Sequence, residues 1–185
     1  MSVTLDEVRQ VYAEADCLFA AAEVDEAIDR MAQAITGRLA EANPILFCVM
    51  NGGLIVTGKL LPKLEFPLEA EYLHATRYGH KLYGTVLDWK VRPARDLRDR
   101  TVLVVDDILD EGATLGAIVD WCREQGAREV LTAVLVDKKH DRKSRPDLIP
   151  EFVGLETPDR YLFGYGMDYK GYWRNAPGIF ALKGY

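Results

Sequence analysis

The run Thr101-Val102-Leu103-Val104-Val105-Asp106-Asp107-Ile108-Leu109-Asp110-Glu111-Gly112-Ala113-Thr114-Leu115 decides the fold. Its apolar stretch, Val102 to Val105, ends in four carboxylates within six residues, then a glycine, then a helical pattern. That order predicts a buried strand delivering acids to a loop at the mouth of a sheet. The Gly112-Ala113-Thr114 that follows opens a helix, whose free N–H groups favour an anion such as phosphate. Carboxylates suit sugar hydroxyls and protons, and amides suit a phosphate. Together they point to a phosphorylated sugar as ligand.

Outward from this run, strands alternate with helices. Leu5, Val8, Val11 and Ala15 predict a short helix, and Val24, Ile28, Met31, Ile35 and Leu39 a longer one that stops at Asn43-Pro44. Ile45 to Met50 reads as a buried strand breaking at Asn51-Gly52-Gly53, and Leu54 to Leu61 as a helix closed by Pro62. Leu68, Ala70, Tyr72 and His74 alternate as in a strand. Residues 76–90 are polar, aromatic and glycine-containing, the profile of a mobile loop or loose hairpin. After the central run come a helix on Leu115, Ile118, Val119 and Cys122, capped at Gly126, and a strand from Val130 to Val136. From about 137 onward the pattern gives loops and short strands, including Tyr161-Leu162-Phe163. The expectation is one α/β domain, residues 1–185, with a mostly parallel central sheet flanked by helices and a small loop-rich hood. Ligands of open α/β sheets bind beyond the carboxyl ends of the strands. Asn51-Gly52-Gly53, the 76–90 segment, the acidic loop and Asp137-Lys138 should therefore converge.

With 185 residues, 49% of them hydrophobic, the chain can bury a proper core. It has no apolar run of membrane-spanning length and no basic-then-apolar leader pattern, so a cytoplasmic protein without membrane contact is expected. A net charge of −6 argues against nucleic-acid binding by bulk charge. Cys17, Cys48 and Cys122 lie far apart without a CxxC and read as small core residues in a reducing compartment. His74, His80 and His140 have no metal-ligand spacing, and the basic tract from Lys138 to Lys143 reads as a mostly solvated loop beside an anion site.

Three ordered motifs resemble one family. VLVVDDILDEGATL (102–115) resembles the phosphoribosyl-pyrophosphate (PRPP) signature of the type I phosphoribosyltransferases. Leu135-Val136-Asp137-Lys138-Lys139 resembles the strand-end lysine motif of the hypoxanthine-guanine branch. PDRYLFGYGMDYKGYWR (158–174) resembles that branch's C-terminal segment. The resemblance spans about residues 44–182; the two N-terminal helices carry none of it.

It implies a purine-salvage transferase that joins the 5-phosphoribosyl group of PRPP to N9 of hypoxanthine or guanine through an oxocarbenium-like state. A xanthine-preferring enzyme and an RNA-binding regulator on the same fold are the alternatives. A receiver domain, which shares Val-Val-Asp-Asp, is disfavoured because strands already precede the pair. The resemblance assigns Asp106 and Asp107 to the ribose hydroxyls, directly or through Mg²⁺, and Asp110 to proton acceptance from N7. Glu111, Gly112, Ala113 and Thr114 would wrap the 5′-phosphate, with Ala113 standing where many relatives have lysine. Asn51 and Gly52 would form the pyrophosphate loop, with a non-proline cis bond at Met50–Asn51 and Asn51 in place of a frequent lysine. Arg77 and Tyr78 match a lid, where Arg77 departs from the usual serine. Lys138 would donate to the purine 6-oxo group, Tyr161 would stack on the base, and Leu162 and Arg160 would offer backbone groups to its edge. Asp168 would hold Mg²⁺ bound to pyrophosphate, and Arg174 would clamp the pyrophosphate itself. The working unit implied is a homodimer or homotetramer.

Overall fold

The structure is a computed structural model describing residues 3–77 and 87–184. In chain order the elements are α1 (Leu5–Glu14), β1 (Asp16–Ala20), α2 (Ala21–Leu39), β2 (Ile45–Val49), α3 (Leu54–Leu60), β3 (Glu69–Arg77), β4 (Leu87–Val91), β5 (Thr101–Leu109), α4 (Ala113–Glu124), β6 (Glu129–Lys139), β7 (Phe152–Pro158), β8 (Leu162–Phe163) and β9 (Gly178–Ala181). The main sheet has the order β4-β3-β2-β5-β6-β7. Its inner pairings are all parallel, and only β4 runs antiparallel, at the edge beside β3.

Parallel strands joined by helices are covered on both faces, which explains their continuous apolar runs. On β5, Leu103 and Val105 face α2 and α3, packing with Ile28, Ile35, Val56 and Leu60. The alternate residues Val102 and Val104 face α4, against Ile118, Val119 and Cys122. Each such side chain taken from water stabilises the fold by about 1.5–3 kcal/mol. Among the described residues, no helix is long and apolar enough to cross a membrane.

Several expectations change. β5 and β6 run past Val105 and Val136, because the pairing Asp106↔Val134, Ile108↔Val136 and Leu109↔Asp137 continues the ladder. Asp106 and Asp107 therefore stand on a strand, and the loop begins only at Asp110. The helix after Asn51-Gly52-Gly53 ends at Leu60, and Leu61–Lys63 tightens into a 3₁₀ turn containing Pro62. Within 76–90, the ends form β3 and β4, and residues 78–86 lie outside the described residues. β7, seven residues long, is a full edge strand where only short pieces are expected. Cys48 and Cys122 are buried as expected, but Cys17 is exposed, since it sits on a strand that covers little apolar surface.

The hood is a separate three-stranded sheet, order β1-β9-β8, both pairings antiparallel. β1 is not anticipated from the sequence. Helix α1 braces the hood: Trp173 Nε1 donates to the Val8 carbonyl (2.7 Å), and Tyr12 stacks on Trp173 at 4.6 Å. Glu7 accepts from Tyr169 Oη and Lys170 Nζ, each at 2.8 Å. The N-terminal helix thus holds the turn that carries Asp168 and Arg174.

Candidate active site

The carboxyl ends of β2, β3 and β5 open into a cleft of 620 Å³ lined by Asn51, Gly52, Asp106–Thr114 and Arg174, with His74 of β3 and Lys90 of β4 also on its wall. Met50–Asn51 is cis. Gly52 lies flat against β5: a Cβ there would come within 2.2 Å of Asp107 Oδ2. From the other side, a Cβ on Gly166 would meet the Gly52 carbonyl oxygen at 2.1 Å. The 51–53 loop is therefore gripped between an acid of the strand and a turn of the hood, and both contacts require glycine.

Asp106 and Asp107 are adjacent, and the Asp107 N–H donates to Asp106 Oδ1 at 2.9 Å. Burial, then the neighbouring Asp107 charge, pushes the Asp106 carboxyl well above the usual range. Burial also raises Asp107, and Arg174 eases both. Arg174 is fixed by donation from Nη1 to the Gly166 carbonyl (2.5 Å) and by an ion pair with Asp168. Asp168 also accepts from the Gly171 N–H at 2.6 Å. Asp106 and Asp107 on β5, with Asp168 lining the adjoining pocket beside Asp107, offer carboxylate oxygens, the donor type that a hard divalent cation takes.

Beside the cleft, a second pocket of 200 Å³ is lined by Ile108, Asp110, Lys138, Tyr161, Leu162 and Met167, together with Asp107 and Asp168. Ile108, Tyr161, Leu162 and Met167 supply apolar walls and the four charged side chains polar edges, which together suit a flat heterocycle with polar rim atoms. Tyr161 is 43% exposed and rests edge-on against Tyr169 at 5.9 Å, leaving a face open. Lys138, with a side chain only 8% exposed, reaches Asp110 Oδ2 at 2.8 Å. His140 Nε2 lies 2.7 Å from the other oxygen, Oδ1. Burial pulls the Asp110 carboxyl upward, but donation from Lys138 and His140, with the charge of Lys138, outweighs it, so the group sits below the usual range.

A family model described as "Phosphoribosyl transferase domain" matches residues 15–170. The chain belongs to this phosphoribosyltransferase family. It is 30% identical over 165 residues to the hypoxanthine-guanine phosphoribosyltransferase of Bacillus subtilis (strain 168), covering 87% of this chain and 89% of that one. Among solved structures, a hypoxanthine-guanine-xanthine phosphoribosyltransferase is 27% identical with a TM-score of 0.76, covering 91% of this chain and 94% of that one. A hypoxanthine phosphoribosyltransferase from Staphylococcus aureus shares the fold, with a TM-score of 0.86 and 97% coverage of both chains at 20% identity.

Within this phosphoribosyltransferase, most residues singled out from the sequence meet at the two joined cavities: Asn51, Gly52, Asp106, Asp107, Asp110–Thr114 and Arg174 in the cleft, and Lys138, Tyr161, Leu162 and Asp168 in the pocket. Arg160, expected to offer a backbone group, lies directly before Tyr161 and is not among the residues lining either cavity. Its side chain pairs with Asp16 and the Leu182 carbonyl, both at 2.8 Å, and its N–H donates to the Pro158 carbonyl. Arg77 ends β3, and Tyr78 lies outside the described residues.

The tract after β6 corrects the solvated-loop expectation. His140 is buried on Asp110, and Lys143 Nζ ties the Leu109 carbonyl (3.0 Å) to Asp137 Oδ1 (2.8 Å). Ser144 donates twice to the Glu111 carbonyl, at 2.9 and 3.0 Å. These residues hold the underside of the acidic loop. Nothing in their spacing marks them, because their partners lie on another strand.

A further tie joins the hood to the 51–53 loop through α2 and α3. Tyr165 Oη donates to Asp25 Oδ1 at 2.8 Å, the oxygen that Lys59 reaches at 2.6 Å. Tyr165→Phe is expected to lower stability by about 1 kcal/mol, the usual worth of such a bond. A shift of the urea midpoint at constant slope measures it.

Proposed function

We propose that this chain transfers the 5-phosphoribosyl group of PRPP to N9 of hypoxanthine or guanine, giving the nucleoside 5′-monophosphate and pyrophosphate, in the cytoplasm. The carrying observation is the junction of the two cavities at Asp110, which lines both the cleft and the pocket. A base seated on Tyr161 would place its reacting nitrogen toward a sugar held by the acids of β5.

In this reading Asp106 and Asp107 bind the ribose hydroxyls, and residues 111–114 with the start of α4 bind the 5′-phosphate. Asn51, Gly52 and Arg174 receive the pyrophosphate. Asp168, with Asp106 and Asp107, would hold Mg²⁺, which when bound supplies positive charge beside the leaving pyrophosphate. The N9 lone pair forms the bond to C1′ as the bond from C1′ to the pyrophosphate oxygen breaks. The N7 proton passes to Asp110, and pyrophosphate departs with the bonding pair. Lys138 donates to the 6-oxo group, and Leu162 borders the edge of the base. A homodimer or homotetramer would bury apolar surface such as Leu54 and Tyr72, each about half exposed.

The test is pyrophosphate release by purified protein with Mg²⁺ and PRPP, taking hypoxanthine, guanine, xanthine and adenine in turn. Adenine presents a donor where Lys138 needs an acceptor. Its kcat/KM is expected to fall at least about 100-fold below that of hypoxanthine, because two donors would face each other and Lys138 would stay on the Asp110 oxygen that must take the proton. No release with any base would sink the proposal.

A further inference from the structure

The side chain of His140 is buried against Asp110 beneath the acidic loop, 4% exposed, yet the proposed reaction gives it no task. We propose that His140 is the positioning residue for the proton-accepting carboxylate of Asp110, an inference that rests on the base chemistry proposed for Asp110.

The ring's hydrogen bonds fix its role. The Arg142 N–H donates to His140 Nδ1 at 3.0 Å, so Nδ1 is an acceptor. The proton of a neutral imidazole then lies on Nε2, which donates to Asp110 Oδ1 at 2.7 Å. Lys138 holds the other oxygen, Oδ2, at 2.8 Å. A carboxylate turns easily about its last torsion. Two donors on separate oxygens stop that rotation, but only one of them lies in the base pocket. When a 6-oxo purine draws Lys138 to its oxygen, Oδ2 is freed to accept the N7 proton. His140 keeps Oδ1 and holds the plane of the carboxylate.

Asp110, His140 and Asp159 lie close enough together to hold a metal ion. The chain's own cations already occupy that corner. Arg142 grips Asp159 through both carboxylate oxygens, at 2.7 and 2.9 Å, and Lys138 lies 3.9 Å from Asp159. The charged groups around Asp110 are thus Lys138 from β6, Arg142 from the loop after it, Asp159 from beyond β7 and Glu111 from its own loop.

The test compares H140N with H140Q, each assayed with hypoxanthine and PRPP. A shorter asparagine amide can still accept from the Arg142 N–H but does not reach Asp110. A glutamine amide reaches about as far as Nε2 and restores the donor. H140N is expected to lose about 10- to 100-fold in kcat, the effect of one charge-assisted bond, with the KM for PRPP within about 3-fold of the parent. H140Q should recover most of that loss. Losing a donor to its charged form raises the Asp110 carboxyl, so the acid limb of the kcat–pH profile should move to higher pH in H140N and back in H140Q.

Parental kcat and an unmoved acid limb in H140N would overturn the inference, as would equal losses in both variants with no movement of the limb. A parent protein that releases no pyrophosphate with any base would instead overturn the reading of the reaction, and this inference with it.

Discussion

Asp110→Asn is expected to slow nucleotide formation by about 10²–10⁴-fold, the range for loss of a positioned general base. The asparagine keeps the shape of the side chain, and one oxygen can still accept from Lys138 or His140. It cannot take a proton. PRPP affinity should change little, because Asp106, Asp107 and the start of α4 are untouched. Single-turnover rates together with equilibrium PRPP binding separate the two effects; parental turnover would remove Asp110 from its assigned role. In the parent, Asp110 should stay a proton acceptor from neutral pH well into the acid range, while the raised carboxyls of Asp106 and Asp107 take up protons first. Lys138 and His140 hold the Asp110 carboxyl below its ordinary value of 3.8, so the proton acceptor is lost only as pH falls through that lowered pKa.

Gly52→Ala should be nearly as damaging, for a steric reason. The new methyl would sit 2.2 Å from Asp107 Oδ2 and 2.4 Å from its Cγ, distances that real atoms do not share. Asp107 is only 8% exposed and has a short side chain, so it cannot swing clear. Either the 51–53 loop lifts off β5 or the acid pair is displaced, and the Gly166 contact blocks the loop's retreat. A loss of at least about 100-fold in kcat/KM for PRPP is expected, with about 1–3 kcal/mol lower stability from overpacking. Steady-state kinetics and urea unfolding measure both. Wild-type kinetics in the variant would mean that the close packing of this loop does not matter to the chemistry.

The parts of this site that could be read from the chain are those whose signal is local. Val102–Val105 announces a buried strand by composition alone, and Gly112-Ala113-Thr114 announces a helix start. What escaped depends on pairing at a distance. Asp16–Ala20 has no apolar alternation of its own, since it is half exposed and is a strand only because Gly178–Ala181 lies beside it. The extension of β5 to Leu109 came from the ladder with β6, which a period-two pattern interrupted by acids conceals. His140 carries no spacing signal because its partner stands thirty residues earlier on a different element. The basic tract splits for the same reason: Lys138 and Lys143 are held against Asp110 and Asp137 once β6 lies beside β5, while Lys139 and Arg142 stay exposed.

The hood has a consequence for how the molecule is made. Most residues facing the sugar and its phosphates come from β2 through α4, a span complete well before the chain is finished. Leu162, with Tyr161 just before it, belongs to a sheet whose central strand pairs Gly178 with Ala20, so it closes only when both of these distant segments are present. Such long-range closure forms late. On the ribosome, a phosphate-facing framework and Lys138 on β6 can therefore be in place before the Tyr161 wall of the base pocket closes.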